Sequence, residues 1–209
     1  RALDVQDGSR LDALRLLTVD NHDVGLFAAA EGTEVSLVDA VIRDTWSTGG
    51  PNGLGRGINV QEMARIGGER VRIEGTEEAG LLVAGGAIGD LRDVEVTDVM
   101  LSTCEPGACS ETPHGYAVVT LGGALRLTRF ELRDAAVCGI VLAPLAGTEE
   151  VTAVDLETGV VSNSPIGACV QIDGYDLDRL TGGVHYRDNG SNLDSTMLPV
   201  PSLAGEVAP

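Results

Sequence analysis

Side chains in and beside two stretches that interrupt the regular pattern of this sequence are the residues best suited to recognising a ligand. Trp46, the only Trp, begins the stretch WSTGGPNGLG, which also contains Asn52. A second stretch, STCEPGACSETP at 102–113, is followed by His114 and Tyr116. A Trp ring offers a flat apolar face with an N–H at its rim, so Trp46 could stack on a sugar or equally pin its loop. We predict a ligand-binding role for four residues: Trp46, Asn52, His114 and Tyr116.

Four cysteines raise the question of disulfide or zinc chemistry. Cys104 and Cys109 flank EPGA, a Pro-Gly turn that can bring two sulfurs together, so we predict a disulfide between them. A zinc site would need two more ligands nearby, and His114 is the only obvious one. Cys138 and Cys169 occur in strand-like sequence, where buried thiols are slightly favoured over a second bridge. A disulfide predicts an extracellular, periplasmic or cell-surface location.

The charge of the chain restricts its partners. The net charge is −18, and all 14 basic residues are Arg. Repulsion argues against nucleic acid and anionic membranes, and a polyanionic sugar would need a bridging cation. No apolar run is long enough to predict a membrane span. The sequence begins at Arg1 without a signal peptide, so we expect a trimmed N-terminus.

A repeat of roughly two dozen residues organises the chain. Six segments begin with Gly followed by an apolar-x-apolar pattern, at residues 25, 57, 80, 115, 139 and 167. Further apolar pairs with period two follow in each unit, and slips of one residue between the pairs indicate corners. Each unit therefore predicts three short strands, whose apolar faces are buried only when units stack.

An acidic column recurs at one corner of the repeat. Its members are Asp20, Asp44, Asp98, Asp134 and Asp188, and Gly75 interrupts it. Stacked carboxylates could hold Ca²⁺, but Asp also favours turns through its side-chain acceptor. We favour turn formation and predict no cofactor, with Ca²⁺ as the alternative. A glycosidase would need two carboxylates at a set separation, and the sequence does not single out such a pair.

The unit length, the three strands per unit and the insertions at a fixed corner resemble the right-handed parallel β-helix, the pectate-lyase-like superfold, over about residues 10–190. The resemblance implies an all-β fold of about seven coils with three short strands each, a rod of about 34 Å at about 4.8 Å per coil. Leucine-rich repeats have a similar length but one strand per repeat, and a β-sandwich would show more hairpin turns.

The repeat also predicts the domain organisation. We expect a single β-helix domain over residues 1–192, in which residues 1–10 serve as an N-terminal cap. The tail at 193–209 contains prolines that cannot join a central ladder, so we expect it to pack on the rod or cap it.

Polysaccharide-acting enzymes of the superfold supply the alternative function. His114–Gly115 matches a dipeptide of polygalacturonases, but the Asn-Thr-Asp, Asp-Asp and Arg-Ile-Lys motifs of that family are missing. Lyases of the superfold usually use Lys or Arg as the base with Ca²⁺, and this chain has no Lys. We therefore predict a secreted or cell-surface protein with a non-catalytic binding or structural role and a polysaccharide or cell-surface partner. The alternatives are a glycoside hydrolase, then a lyase, and a spacer within a longer repeat protein.

Overall fold

The computed structural model describes residues 1–48, 54–102, 114–148, 150–195, 197–201 and 203–205. Within these ranges the chain forms fifteen β-strands and one short helix, and neighbouring strands run parallel. The strands wind around a common axis, so the chain is an all-β parallel solenoid. The fold class predicted from the repeat is confirmed.

The odd-numbered strands form one side of the solenoid, which we call the odd-strand sheet. Its strands are β1 (Leu3–Val5), the second half of β3 (Leu17–Ala28), β5 (Gly55–Val60), β7 (Ala79–Ala84), β9 (Tyr116–Leu121), β11 (Cys138–Ala143), β13 (Ile166–Val170) and β15 (Ser191–Asp194). Each strand pairs with the odd-numbered strand of the next coil. Equivalent residues of successive coils therefore stack in columns.

The even-numbered strands form the remaining two sides, which we call the even-strand sheet. These strands are β2 (Arg10–Leu14), β4 (Glu34–Trp46), β6 (Arg65–Thr76), β8 (Ile88–Val99), β10 (Ala124–Ala135), β12 (Ala153–Ser162) and β14 (Val184–Arg187), joined by the first half of β3. The long even strands turn a corner within their length, as β4 does at Asp39, which has φ 58°. A long even strand and the odd strand that follows it thus give three straight segments per coil.

Seven coils run from β2–β3 to β14–β15 within the described residues. In the last coil, helix α1 (Asp178–Thr181) takes the place of the first straight segment and buries Leu180 against β12. No helix in the described ranges is long and apolar enough to cross a membrane.

Aliphatic side chains fill the interior in columns. One column is fully buried and consists of Leu26, Ile58, Leu81, Val118, Ile140 and Ala168. In β7, β9 and β11 every residue is buried, although alternate residues of a strand face opposite sides. The outer side of the odd-strand sheet must therefore be covered as well as the inner side.

Glycine recurs on the odd strands because the two sheets approach closely there. A Cβ at Gly57 would lie 2.4 Å from Ile73 Cγ2, and a Cβ at Gly80 would lie 2.3 Å from Val96 Cγ1. A larger residue at either position would force the even strand to shift, so these two glycines set the local spacing between the sheets.

The predicted glycine alignment is wrong in one coil. Leu81 pairs with Val118, which places Ala117 rather than Gly115 beside Gly80. Gly115 precedes β9 and lies two residues away from the column. A slip of two residues keeps every side chain on the same face, so alternation alone does not detect the error.

The predicted Asp column marks a corner with a left-handed backbone. The φ angle lies between 55° and 65° at Asp20, Asp44, Gly75, Asp98, Asp134, Asn163 and Asp188. Asp and Asn adopt this conformation more readily than most residues, and Gly adopts it without strain. The corner therefore explains both the Asp column and its interruption by Gly75.

The second corner of each coil, which the one-residue slips in the apolar pattern predict, also has a left-handed backbone. The φ angle lies between 54° and 71° at Arg15, Asp39, Arg70, Asp93, Arg129, Thr158 and Gly183. Basic and acidic residues alternate over the first five of these coils. Arg129 Nε donates to Asp93 Oδ1 at 2.7 Å, and this hydrogen bond lowers the pKa of the Asp93 carboxyl. Such exposed pairs add little stability individually, but like charges at these positions would repel one another.

Buried threonine hydroxyls without a hydrogen-bond partner offer a test of the packing. Thr76 is fully buried, and its neighbour in the next coil is Val99. Within the part of the chain that the structure describes, its Oγ1 has no hydrogen-bond partner. We expect Thr76→Val to raise the free energy of unfolding by about 1 kcal/mol, because it removes an unsatisfied buried hydroxyl at nearly constant volume. Urea unfolding followed by circular dichroism would measure the change.

Thr152→Val is the matched control for this prediction. Thr152 Oγ1 donates to Ala143 O at 2.7 Å and accepts from Gly122 N at 2.6 Å. This substitution should destabilise the protein because it leaves both backbone groups without a partner. Equal effects of the two substitutions would contradict the hydrogen-bond argument.

A disulfide joins Cys138 of β11 to Cys169 of β13. Both residues are fully buried and lie on adjacent strands of the odd-strand sheet. The slight preference for buried thiols was therefore wrong, because spacing in sequence does not reveal which strands become neighbours. Cys104 and Cys109 fall outside the described residues, and the bridge between them stays a prediction.

Candidate functional site

Both insertions leave the solenoid where an even strand passes into an odd strand, and we call this surface the loop edge. It comprises residues 46–48, 54–55, 77–78, 100–102 and 114–115. Ser47 donates its backbone N–H to Glu77 Oε2, and His114 Nδ1 lies 3.4 Å from Glu78 Oε1. The link between β6 and β7 therefore contacts the stems of both insertions.

Arg56 and Glu78 form a buried ion pair beneath the loop edge. Arg56 Nε donates to Glu78 Oε2 at 2.6 Å, and Arg56 Nη2 donates to Glu78 Oε1 at 3.1 Å. The Arg56 side chain is fully buried, and the Glu78 side chain is 7% exposed. Bidentate geometry is what allows two charges to be tolerated away from water. The pair thus fixes β5 against the link that carries Glu78.

A chain of hydrogen bonds continues from Arg56 to the C-terminal tail, by which we mean the described residues 195, 197–201 and 203–205. Arg56 Nη1 donates to Asn59 Oδ1 at 2.7 Å, and Asn59 Nδ2 donates to Gln61 Oε1 at 3.0 Å. Gln61 Nε2 donates to Ala204 O, and Ala204 N donates to Gln61 Oε1, both at 2.9 Å. These contacts connect the loop edge, β5 and the tail.

Charge and burial set two pKa values at this site. Burial alone would raise the pKa of Glu78, but the charge of Arg56 and the hydrogen bond to His114 outweigh it and hold the pKa at about 2. Burial, with the neighbouring Glu78 charge, raises the pKa of Tyr116 to about 12. Glu78 is therefore an anion and Tyr116 a neutral phenol near neutral pH.

The low pKa of Glu78 predicts a loss of stability in acid. Its pKa is about 2 in the folded protein against an ordinary value of 4.5, so its contribution is fully present above pH 4.5 and is lost as the pH falls toward 2. We expect this carboxyl to account for a loss of about 3 kcal/mol over that range. Urea unfolding of the wild type and of Glu78→Gln at several pH values would isolate it, since the variant should show a shallower dependence. Parallel curves would contradict the prediction.

The predicted ligand-binding residues have different surroundings. Trp46 is half-buried at the loop edge and pairs in register with His22 of the previous coil. His114 contacts Glu78, and its Nε2 is buried with no hydrogen-bond partner among the described residues. Tyr116 is fully buried, and its hydroxyl donates to Pro199 O of the tail at 2.7 Å. Asn52 falls outside the described residues.

The polar residues of this network were missed by the sequence reading. Arg56, Asn59 and Gln61 occupy outward positions where the next coil has Ala79, Leu82 and Ala84. Comparing the stretches GRGINVQ and AGLLVA within the repeat would have revealed three polar substitutions on one face. Glu78 gives no such signal, because an acidic residue in a turn is ordinary.

Neither a metal centre nor a relative identifies the site. Among the described residues, no group of three or more His, Cys, Asp and Glu side chains is arranged to hold a metal ion. No protein-family model, curated protein or solved structure matches this chain. The chemistry of the loop edge is therefore the feature that indicates a function.

Proposed function

We propose that this protein is a non-catalytic binding solenoid whose loop edge holds a neutral carbohydrate. The observation that carries the proposal is the state of the loop-edge carboxylates. Glu78 is engaged by Arg56 and has a pKa of about 2, and Glu77 accepts the Ser47 N–H. A glycosidase needs a carboxylic acid whose pKa is raised so that it can donate a proton, and Glu78 is shifted in the opposite direction.

The other carboxyl groups with resolved pKa shifts support the same conclusion. Within the described ranges their pKa values are all lowered, and the groups concerned are Asp12, Asp39, Asp93 and Asp155. In the four Asp residues the leading cause is a hydrogen bond from an Arg side chain. These carboxylates are held as anions by their Arg partners and are poorly suited to general acid catalysis.

The exposed side chains of the loop edge favour a sugar as the ligand. Trp46 is half-buried, and Met100 and Leu101 are 38% and 45% exposed beside the second insertion. An aromatic ring with apolar neighbours suits the C–H face of a pyranose, and the polar stems suit its hydroxyls. The net charge of −18 favours a neutral glycan over a uronate polymer.

We further propose that the protein works outside the cytoplasm, in an extracellular, periplasmic or cell-surface setting. The buried bridge between Cys138 and Cys169 supports this location, because structural disulfides persist mainly in oxidising compartments.

A panel of neutral and uronate polysaccharides would test the proposed function. We expect retention of at least one neutral glycan in affinity electrophoresis, and at least tenfold weaker retention by Trp46→Ala. Met63→Ala is the matched control, because Met63 is an exposed apolar residue in the turn that follows β5, away from the loop edge. Release of reducing ends or unsaturated uronate from any glycan would refute the non-catalytic proposal. Equal loss in both variants would refute the placement of the site.

A further inference from the structure

An apolar surface is hidden on the outer side of the odd-strand sheet. Its fully or nearly fully buried members are Ala79, Leu82, Ala84, Tyr116, Val119, Leu121, Cys138, Val141, Ala143 and Cys169. Leu198 and Leu203 of the tail pack on this cluster, and Ala204 packs on a neighbouring one. We call this surface the outer face.

The tail crosses the outer face instead of extending the sheet. Pro199 contacts Tyr116 of the fourth coil and Ala204 contacts Gln61 of the second, so the tail runs back along the solenoid axis from β15 in the seventh coil. A segment in this direction lies across the strands and cannot join their ladder. Pro199 and Pro201 also favour an extended conformation without internal hydrogen bonds.

The hydrogen bonds between the outer face and the tail recognise main-chain atoms. Tyr116 donates to the carbonyl of Pro199, and the Gln61 carboxamide pairs with both the N–H and the carbonyl of Ala204. Groups outside the tail also hold the Gln61 carboxamide, since Asn59 donates to its Oε1 and Glu62 accepts from its Nε2 at 2.9 Å. Such contacts would accept any extended segment with small apolar side chains at the right spacing.

The tail is less buried than the strands that it crosses. Met197 is 74% exposed and Val200 is 37% exposed, whereas Pro201 and Ala204 are buried. Every residue of β7 and β9 is buried by comparison. A terminal segment with fewer buried residues opens at a lower free energy than the solenoid beneath it.

From these contacts we infer that the outer face is a binding site for an extended, proline-containing peptide of a partner protein. The protein's own tail occupies the site as an intramolecular competitor. The partner segment would take the place of the described tail residues 197–201 and 203–205, with apolar side chains where Leu198 and Leu203 lie and its main chain bonded to Tyr116 and Gln61.

A full-length chain with a weakened tail would test the inference. Leu198→Asp with Leu203→Asp disfavours tail docking and leaves the outer face unchanged. A fluorescent peptide with the sequence of residues 197–205 should bind this variant at least tenfold more tightly than it binds the wild type, as measured by anisotropy. Equal affinity for the two chains would overturn the inference.

Two glutamines provide a matched pair in the weakened-tail background. Gln61 follows β5 and Gln171 follows β13 at the equivalent turn, and each donates its backbone N–H to the previous coil. Gln61→Ala should weaken peptide binding at least tenfold, whereas Gln171→Ala should leave it unchanged. Similar losses in both variants would overturn the assigned contacts.

Two further readouts keep the test decisive. If the weakened-tail variant does not fold, hydrogen exchange of the wild type is measured instead. Excess peptide should displace the tail and speed exchange at the Ala204 amide. An unchanged exchange rate would refute the site. If the wild type forms concentration-dependent dimers that Leu198→Asp abolishes, the occupant is the tail of a second copy, and the assignment to a partner protein is overturned.

Discussion

Replacing Arg56 with methionine is expected to lower the free energy of unfolding by about 3–5 kcal/mol, the usual cost of leaving one member of a buried ion pair unpaired. Glu78 would keep its burial but lose two hydrogen bonds and the positive charge beside it. Asn59 would lose its donor as well, which loosens Gln61. Urea unfolding at pH 7, followed by circular dichroism, would measure the loss.

The double substitution Arg56→Met with Glu78→Leu separates the charge effect from packing. Because no unpaired charge remains, we expect the double variant to recover a large part of the stability lost by the single variant. Arg126→Met is the control, since Arg126 pairs with Glu157 at 2.9 Å but both side chains are 56% exposed. The urea midpoint of Arg126→Met should be nearly the same as that of the wild type. A double variant no more stable than Arg56→Met would show that the arginine acts through its shape and not through its charge.

Removing the bridge between Cys138 and Cys169 should lower the free energy of unfolding by about 3–4 kcal/mol, because the unfolded chain gains the entropy of a loop spanning the 31-residue separation. Cys138→Ala with Cys169→Ala is the variant to measure, since both positions are fully buried and alanine is already common on the outer face. The observable is the urea midpoint without reductant.

Reductant then distinguishes this bridge from the one predicted between Cys104 and Cys109. The variant Cys104→Ser with Cys109→Ser should still have a lower urea midpoint with dithiothreitol than without it. The variant Cys138→Ala with Cys169→Ala should lose most of this sensitivity to reductant. An unaltered midpoint in the latter variant would mean that the stacked coils, and not the bridge, hold β11 to β13.

The corner residues show how much of the fold was predictable. Asp134 and its equivalents prefer a left-handed backbone for reasons that lie within the residue itself, so their spacing predicted a real corner. The corner at Arg70 and Arg129 was predicted only by the one-residue slip in the apolar pattern, because arginine has no preference for a left-handed backbone. There the surrounding coils impose the conformation, and ion pairs to Asp39 and Asp93 accompany it.

The candidate site was predictable only in part. The insertions broke a regular repeat, so their common position could be deduced, and His114 was selected because it adjoins one of them. Tyr116 was selected on the same basis, but its hydroxyl donates to Pro199 instead of facing an open surface. Alternation could not indicate that the outer side of β9 would be covered.

The sequence by itself determined the solenoid, because a fold of stacked coils depends on local patterns: apolar pairs with period two, residues suited to left-handed corners, and small residues where the sheets approach. Only the tertiary structure decided three contacts: the ion pair of Arg56 with Glu78, the disulfide between Cys138 and Cys169, and the hydrogen bonds between Gln61 and Ala204. These contacts join residues 22, 31 and 143 positions apart. Their partners are chosen by the packing of coils and tail, which no local propensity encodes.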